Sequence, residues 1–323
     1  MLTTPLIRAI RQRHPTSDIM VLTERRYAPL VSANPHVTEV FESRRRRNVR
    51  TLAAHLRRQH FTHLLDLQRD ARSLLLRGLV RGNWGLSQTD RVARTVLIRT
   101  KRNWYEEVVP MAERFFAAAR DLEVSPDGGP PELFLSDEAT GQAATWLEQA
   151  GVPTDTPFIA MAPGAGQATR RWPPEYFVSL VKKVTATGAY AVIVGGANES
   201  KLASEIALRS GPHAASAAGA LGLQAMGGVL KRAAALITGD TGLLHVGTAV
   251  GTPVVAIFGP TVRHFGWFPY QAHASVVERD LPCRPCSSRG TAQCPLKHHQ
   301  CMRAIKPDDV FNVMARILTG ATG

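Results

Sequence analysis

The sequence predicts a doubly wound α/β protein, built from parallel sheets with helices on both faces, and three observations carry that expectation. From Phe158 onward, short continuous apolar runs alternate with helical patterns. Two of those runs end in glycine-containing turns, "PGAG" and "GDTG". The length, 323 residues, suits two domains at about 100–200 residues each. Apolar runs without alternation are the mark of strands covered on both faces, which is the situation of a parallel sheet.

The second half gives the clearer series of elements. "FIAMAPG" reads as a buried strand ending in Gly164, and "PPEYFVSLVKKVTATG" as a helix. In that helix Tyr176, Phe177, Leu180, Val181 and Val184 share a face, and Gly188 closes it. "AYAVIVGG" is a second strand, and "NESKLASEIALRSG" a helix with Asn198 as N-cap. "LQAMGGVLKRA" is a further helix, followed by strand "AALITGD", helix "TGLLHVGTAVG" and strand "TPVVAIFGP". In the first half the same reasoning yields helix "TTPLIRAIRQRHP", strand "DIMVLTE", a helix around "YAPLVSANP", strand "VTEVFES", helix "RTLAAHLRRQ" and strand "THLLDLQ". Residues 125–157, rich in Pro, Gly and acidic side chains around a helix near "DEATGQAATWLEQAG", read as the interdomain connection. The expected domains are residues 1–152 and 153–323.

Composition excludes several classes. Hydrophobic residues at 44% and charged residues at 20% are ordinary for a globular chain, so disorder, collagen and coiled coil are poor fits. The net charge of +13 is not ordinary, and only seven of the 39 basic residues are Lys. Residues 1–104 hold 21 Lys and Arg against 7 Asp and Glu, including the run Arg44–Arg47. Such a field suits an anionic partner, and a lipid or glycolipid surface fits better than nucleic acid, because no aromatic interleaving accompanies the run. A solvated helix face is the competing reading of the same run. No secretory signal or membrane-spanning stretch is legible, so the expectation is a cytoplasmic protein, peripheral on the inner face of the membrane.

Chemistry concentrates in two turns. In "ALITGDTGLLHVGTAVGTPVVAIFGPT" a strand runs into Gly239–Gly242 and a helix starts there, so the turn's N–H groups and the positive helix end face the strand's carboxyl edge. Asp240 reads either as a cap of that helix or as a ligand contact, and His245 lies one turn further on. In "PGAGQATRRWPPE", Gly164 and Gly166 permit close backbone approach, while Arg170 and Arg171 offer planar donors to phosphate oxygens. An alternative for Arg171 is a cation stacked on Trp172.

The segments "PGAGQATRRWPPEYF", "VIVGGANES", "GDTGLLHVGTAVGTPVVAIFGPT" and "CPLKHHQCMRAI" resemble the bacterial heptosyltransferases of glycosyltransferase family 9, which add heptose to the lipopolysaccharide inner core. The resemblance spans nearly the whole chain and is strongest over 158–305. It implies two Rossmann-like domains of the B type of glycosyltransferase, the first holding a lipid-anchored core acceptor and the second ADP-heptose or a similar nucleotide sugar. The implied donor residues are Gly164, Arg170, Glu199, Asp240, Thr241, Gly242 and His245. Arg170 stands where the family usually has Lys, and Glu199 near an acidic contact to the ribose. Thr3 and Thr4 fall on the acceptor side. No catalytic metal is implied.

The resemblance implies a family motif "GDVLLTTPL", whose Asp is the candidate base for the acceptor hydroxyl, and Met1-Leu2-Thr3-Thr4-Pro5 here begins inside that motif. The base is therefore unassigned, with Asp18 and Asp66 unsupported by any motif. The expectation is that a strand and a Gly-Asp pair precede Met1 in the natural chain, a catalytically weak truncation being the alternative. The competing functions are another nucleotide-sugar transferase of the same fold and a nucleotide-sugar-binding protein without turnover.

The four cysteines, Cys283, Cys286, Cys294 and Cys301, follow a C-x₂-C-x₇-C-x₆-C spacing with His298 and His299 among them. In a reducing compartment that spacing predicts a structural Zn site, with a loop of reduced thiols as the alternative.

Overall fold

The structure, a computed structural model, describes residues 1–43 and 49–320, so the arginine run 44–47 lies outside the described residues. The first half contains α1 (Thr4–Arg13), β1 (Met20–Glu24), β2 (Glu39–Ser43), α2 (Val49–Arg57), β3 (His63–Asp66), α3 (Ala71–Leu79), β4 (Asn83–Leu86), α4 (Arg91–Thr100) and α5 (Met111–Arg114). After α6 (Asp137–Gln149) come β5 (Phe158–Ala162), α7 (Pro174–Thr185), β6 (Tyr190–Ile193), α8 (Ser200–Ser210), β7 (Ala214–Ser216) and α9 (Leu223–Arg232). The chain finishes with β8 (Ala235–Gly239), α10 (Gly242–Ala249), β9 (Val254–Phe258), β10 (Ala274–Glu278), α11 (Gln300–Arg303) and α12 (Pro307–Thr319).

Strands β5 to β10 form one sheet in the order β7-β6-β5-β8-β9-β10, and every neighbouring pair is parallel. Every residue of β5, β8 and β9 is buried, which is why these strands read as unbroken apolar runs. One face is covered by Phe177, Leu180 and Val184 of α7, Ile206 of α8, and Val310 and Met314 of α12. The other is covered by Val229 and Leu230 of α9, Leu244 of α10, and Ala143 and Leu147 of α6. Each large side chain withdrawn from water in this way contributes about 1.5–3 kcal/mol.

Two expectations change. The helix foreseen around 27–35 is a 3₁₀ segment, Arg25–Leu30; Pro29 within it lacks the N–H a longer helix would need. The helix of the expected connection, α6, belongs to the cover of the second sheet. It packs along α9 where Gly228 lies close to it: a Cβ there would stand 2.8 Å from that of Ala143.

In the first half β1 pairs with β2 and β3 with β4, each pair parallel, giving two separate two-stranded sheets. Their helices bury smaller clusters, Leu6 and Ile10 with Phe115 and Phe116, and Leu52, Leu56 and Leu76. The two halves of the chain meet at α5. Met111 donates its N–H to Gly266 O at 2.8 Å, and the Arg114 guanidinium donates to His264 O at 2.9 Å. Arg114 is 3% exposed, burial lowers its pKa, and its charge is balanced by Asp90 at 2.8 Å. Removing one partner of a buried pair leaves an uncompensated charge. Asp90→Ala should accordingly lower unfolding free energy by roughly 3 kcal/mol, read as a shift of the urea midpoint, whereas Asp137→Ala, at an exposed position of α6, should shift it little.

Candidate functional site

The site follows from the strand order. After β5 the chain crosses to the face covered by α7, and after β8 to the face covered by α10, so the helices diverge where the two strands are neighbours. Divergence of this kind opens a crevice at the carboxyl ends of the strands. Register places Ala162 beside Thr238, and the loops that follow, 163–173 and 240–242, flank the crevice. A cavity of about 1630 Å³ opens there, lined from the second half by Gly164, Glu199, Thr241, Gly242 and His245, and from the first by Thr3, Asp18 and Asp66 among others.

Glu199 is wedged against the strand ends. Its Oε2 accepts the Gly196 N–H at 2.7 Å, and a Cβ on Gly164 would lie 2.3 Å from its Cγ, so only glycine at 164 leaves the carboxylate in place. Helix α10 begins at Gly242 with Thr241 as N-cap residue, and no side chain caps it. Its first-turn N–H groups, which have no partner within the helix, face the crevice at the positive end of the dipole.

Asp240 does not cap α10. Its Oδ1 pairs with Arg170 Nη2 at 2.9 Å, and its Oδ2 accepts the Thr261 hydroxyl at 2.9 Å. Burial raises the Asp240 pKa, while Arg170 and Thr261 pull it back. Two donor-capable atoms here are buried without a partner, Arg170 Nε and His245 Nδ1. Burial, helped by the nearby Arg170 charge, pushes His245 down to about 3, so the imidazole is neutral near pH 7. A neutral ring presents one donor and one acceptor, whereas a second cation here would crowd Arg170.

A profile of glycosyltransferase family 9 (heptosyltransferase) matches residues 49–297. The chain belongs to glycosyltransferase family 9. Lipopolysaccharide heptosyltransferase 2 of Escherichia coli K12 is 25% identical over 338 residues, covering 98% of this chain and 94% of that protein. A glycosyl transferase family 9 structure from Veillonella parvula superposes with a TM-score of 0.80 at 20% identity, over 99% of this chain and 94% of that one. An E. coli heptosyltransferase solved with ADP-2-deoxy-2-fluoro heptose gives 0.67 at 18% identity, over 98% and 95%. The fold is the B type of glycosyltransferase, and the chain is a glycosyltransferase of the heptosyltransferase kind.

Among the expected site residues of this family 9 member, Gly164, Glu199, Thr241, Gly242, His245 and Thr3 meet at the cavity, while Arg170 and Asp240 form the layer behind it. Thr4 is fully buried: its hydroxyl donates to Met1 O and accepts from Glu132 N, so it shapes the start of α1 and does not line the cavity. Arg171 fixes its own loop through Nε to Ala165 O, and Trp172 donates to Ile305 O, so the stacked-cation alternative gives way to two backbone anchors. Thr261 and Arg284 were not expected. Thr261 sits in the quoted "FGPT", but a threonine after a strand carries no signal of its partner.

The Zn expectation does not fit. Among the described residues no group of three or more His, Cys, Asp or Glu side chains is arranged to hold a metal ion. Cys286 Sγ donates to Cys283 O, and burial raises the thiols of Cys286 and Cys301, the latter to about 11. His299 Nε2 bonds Thr169 O, and His298 Nδ1 accepts the Gln300 N–H. Cys286, His298 and His299 are thus engaged with nearby backbone groups.

His245 gives a pH test. Its folded-state pKa lies below the ordinary 6.5, so between about 3 and 6.5 the unfolded chain binds more protons. Its stability contribution is complete above pH 6.5 and is lost as pH falls toward 3. His245→Gln should remove about 1.4 kcal/mol per pH unit of slope within that window, measured by urea unfolding of both proteins; parallel curves would place the ring in water.

Proposed function

We propose that this family 9 enzyme transfers a heptose from ADP-heptose to the inner core of a lipid-anchored lipopolysaccharide acceptor, with inversion at the anomeric carbon. The observation that carries the proposal is the crevice between β5 and β8, where the uncapped start of α10 and Glu199 line the cavity and the buried, unpartnered Arg170 Nε lies in the layer behind it. Those groups suit a nucleoside diphosphate: backbone N–H groups and a guanidinium for phosphate oxygens, and a carboxylate for ribose hydroxyls. A relative solved with an ADP-heptose analogue supports the choice of nucleotide and sugar.

The acceptor oxygen attacks the anomeric carbon as the bond to the diphosphate breaks, and negative charge grows on the leaving phosphate. The N–H groups at Thr241 and Gly242 line the cavity and are placed to hold that charge without reorganising, with the Arg170 guanidinium adding its positive charge from the layer behind. The neutral ring of His245 can bond a sugar hydroxyl, its Nδ1 being otherwise orphaned. Catalysis in this scheme needs no metal or other cofactor. The hydroxyl proton passes to a general base. Asp18 and Asp66 are the first-half carboxylates lining the cavity, and Asp66 keeps Oδ2 free of hydrogen bonds while Oδ1 accepts the N–H groups of Gln68 and Arg69.

The acceptor side is the arginine-rich first half. There α3 exposes Leu74 (60%) and Leu75 (59%), and Arg91 donates to the backbone of Arg69 next to its N-cap Asp70. Basic groups around exposed leucines suit an anionic membrane on the cytoplasmic side, with no role for nucleic acid. Among the described residues no helix is long and apolar enough to cross a membrane.

Titration with ADP-heptose and UDP-glucose, followed by transfer to heptose-deficient core, tests the proposal. Selective binding of the ADP sugar is expected, and preference for UDP-glucose would overturn it. Asp240→Asn, which strips Arg170 of its charge partner, should raise the donor KM roughly 10- to 100-fold. Acceptor KM should stay near that of the parent.

A further inference from the structure

The loop bearing three of the four cysteines, 279–299, has no part in the crevice itself, yet it touches both polar partners of Asp240. On one side Arg284, whose side chain is 6% exposed, donates from Nη2 to Thr261 O at 2.8 Å and pairs with Glu278. Thr261 is the residue whose hydroxyl holds Asp240 Oδ2. The same loop donates Cys286 N–H to Pro260 O at 3.2 Å, fixing the residue before Thr261 as well.

On the other side the loop grips the segment that carries Arg170. Thr169 donates both its N–H and its hydroxyl to Thr291 O, at 3.1 and 2.9 Å, and its hydroxyl oxygen accepts Thr291 N–H at 2.7 Å. His299 Nε2 meets Thr169 O at 2.9 Å, and Arg170 Nη1 reaches Arg289 O at 3.4 Å. Gly290, with φ of 82°, lies against the stem of Arg170: a Cβ there would be 2.9 Å from both Cγ and Cδ. A side chain at 290 would displace the stem, and the left-handed backbone would disfavour it as well.

We infer that loop 279–299 is a clasp that sets the Asp240 carboxylate from both sides, with Thr169, Arg284 and Gly290 as positioning residues for the donor site. None of the three needs to touch the donor. Thr169 and Gly290 fix where the Arg170 fork lies, Arg284 fixes Thr261, and Asp240 joins the two. A buried carboxylate held by a cation and a hydroxyl has one orientation in which both bonds survive, so small shifts of either partner are felt at Asp240. This rests on the donor reading for its kinetic consequence, but the geometry of Asp240 can be followed without any ligand.

The test combines ¹³C NMR of the Asp240 carboxyl with steady-state kinetics on the full chain, in Thr169→Val, Thr169→Ser and Gly290→Ala. Val preserves the volume of Thr169 and removes its hydroxyl, and Ser restores the hydroxyl. Arg170 and Thr261 are the groups that lower the Asp240 pKa, so loosening Arg170 should move its titration to higher pH in the Val and Ala variants and leave it in place in the Ser variant. Donor KM should rise about tenfold in the same two variants, with acceptor KM unchanged and Ser within roughly twofold of the parent. Gly290 lies outside the cores of the fold, so Gly290→Ala keeps the test alive if Thr169→Val fails to fold. An Asp240 titration that is the same in the parent and in every folded variant would overturn the clasp, whatever the donor. A parent that binds no ADP sugar, with Asp240 still moving in the variants, would uphold the clasp and overturn the donor reading alone.

Discussion

The reversal of strand order between β5 and β8 governs the rest of the molecule. Two parallel strands that are neighbours, followed by helices that leave to opposite faces, cannot be covered at their carboxyl ends by either helix. The crevice is a consequence of connectivity before any side chain is considered. Because β5, β8 and β9 are buried throughout, their register is held by packing on two faces, and a one-residue slip would invert every side chain. That rigidity fixes where Gly164 and Asp240 stand relative to one another. The chemistry then sits on short loops anchored to immobile strands.

Burial is what makes the residues behind the crevice interdependent. Asp240 is 6% exposed, and a carboxylate so placed is tolerable only with its bonds satisfied. Arg170 and Thr261 satisfy it, and both are set by a loop more than forty residues downstream of Asp240 in sequence. Meanwhile the first-turn N–H groups of α10 and two buried ring and guanidinium nitrogens are left without protein partners. Unsatisfied donors at the crevice are what is expected where a polar ligand completes the bonding.

Legibility of the sequence tracks burial. The strands of the second sheet were readable because they are covered on both faces and show as unbroken apolar runs, and α7 was readable because its buried face repeats at helical spacing. Strands of the first half are four or five residues long and only partly buried, so β3 and β4 leave weak patterns. The 3₁₀ turn at Arg25–Leu30 was read as a helix because its apolar residues mimic one, and Pro29 was the overlooked sign. Asp240, Thr241, Gly242 and His245 could be found since they occupy one strand-to-helix turn. Thr261 and Arg284 could not, because their roles come from contacts 21 and 23 residues apart in sequence that no local pattern encodes. The cysteine spacing is a related case: spacing says which thiols can lie near one another, and backbone geometry decides whether three or more are arranged to hold a metal ion, which none are among the described residues.

Arginine at position 170 fits this arrangement in a way an ammonium could not. The fork spends Nη2 on Asp240 and directs Nη1 to Arg289 O, and Nε remains unpartnered. A guanidinium distributes these tasks over separate atoms in one plane, so holding Asp240 and keeping a donor in reserve are compatible. A lysine nitrogen would have to serve as a single point, and its flexible stem would gain less from the close approach of Gly290. The planar group also explains why so much of loop 279–299 is devoted to the stem and flanks of this side chain. A point charge tolerates some displacement, whereas a fork works only when its plane is set, and Thr169, Gly290 and Thr291 are the residues that set it.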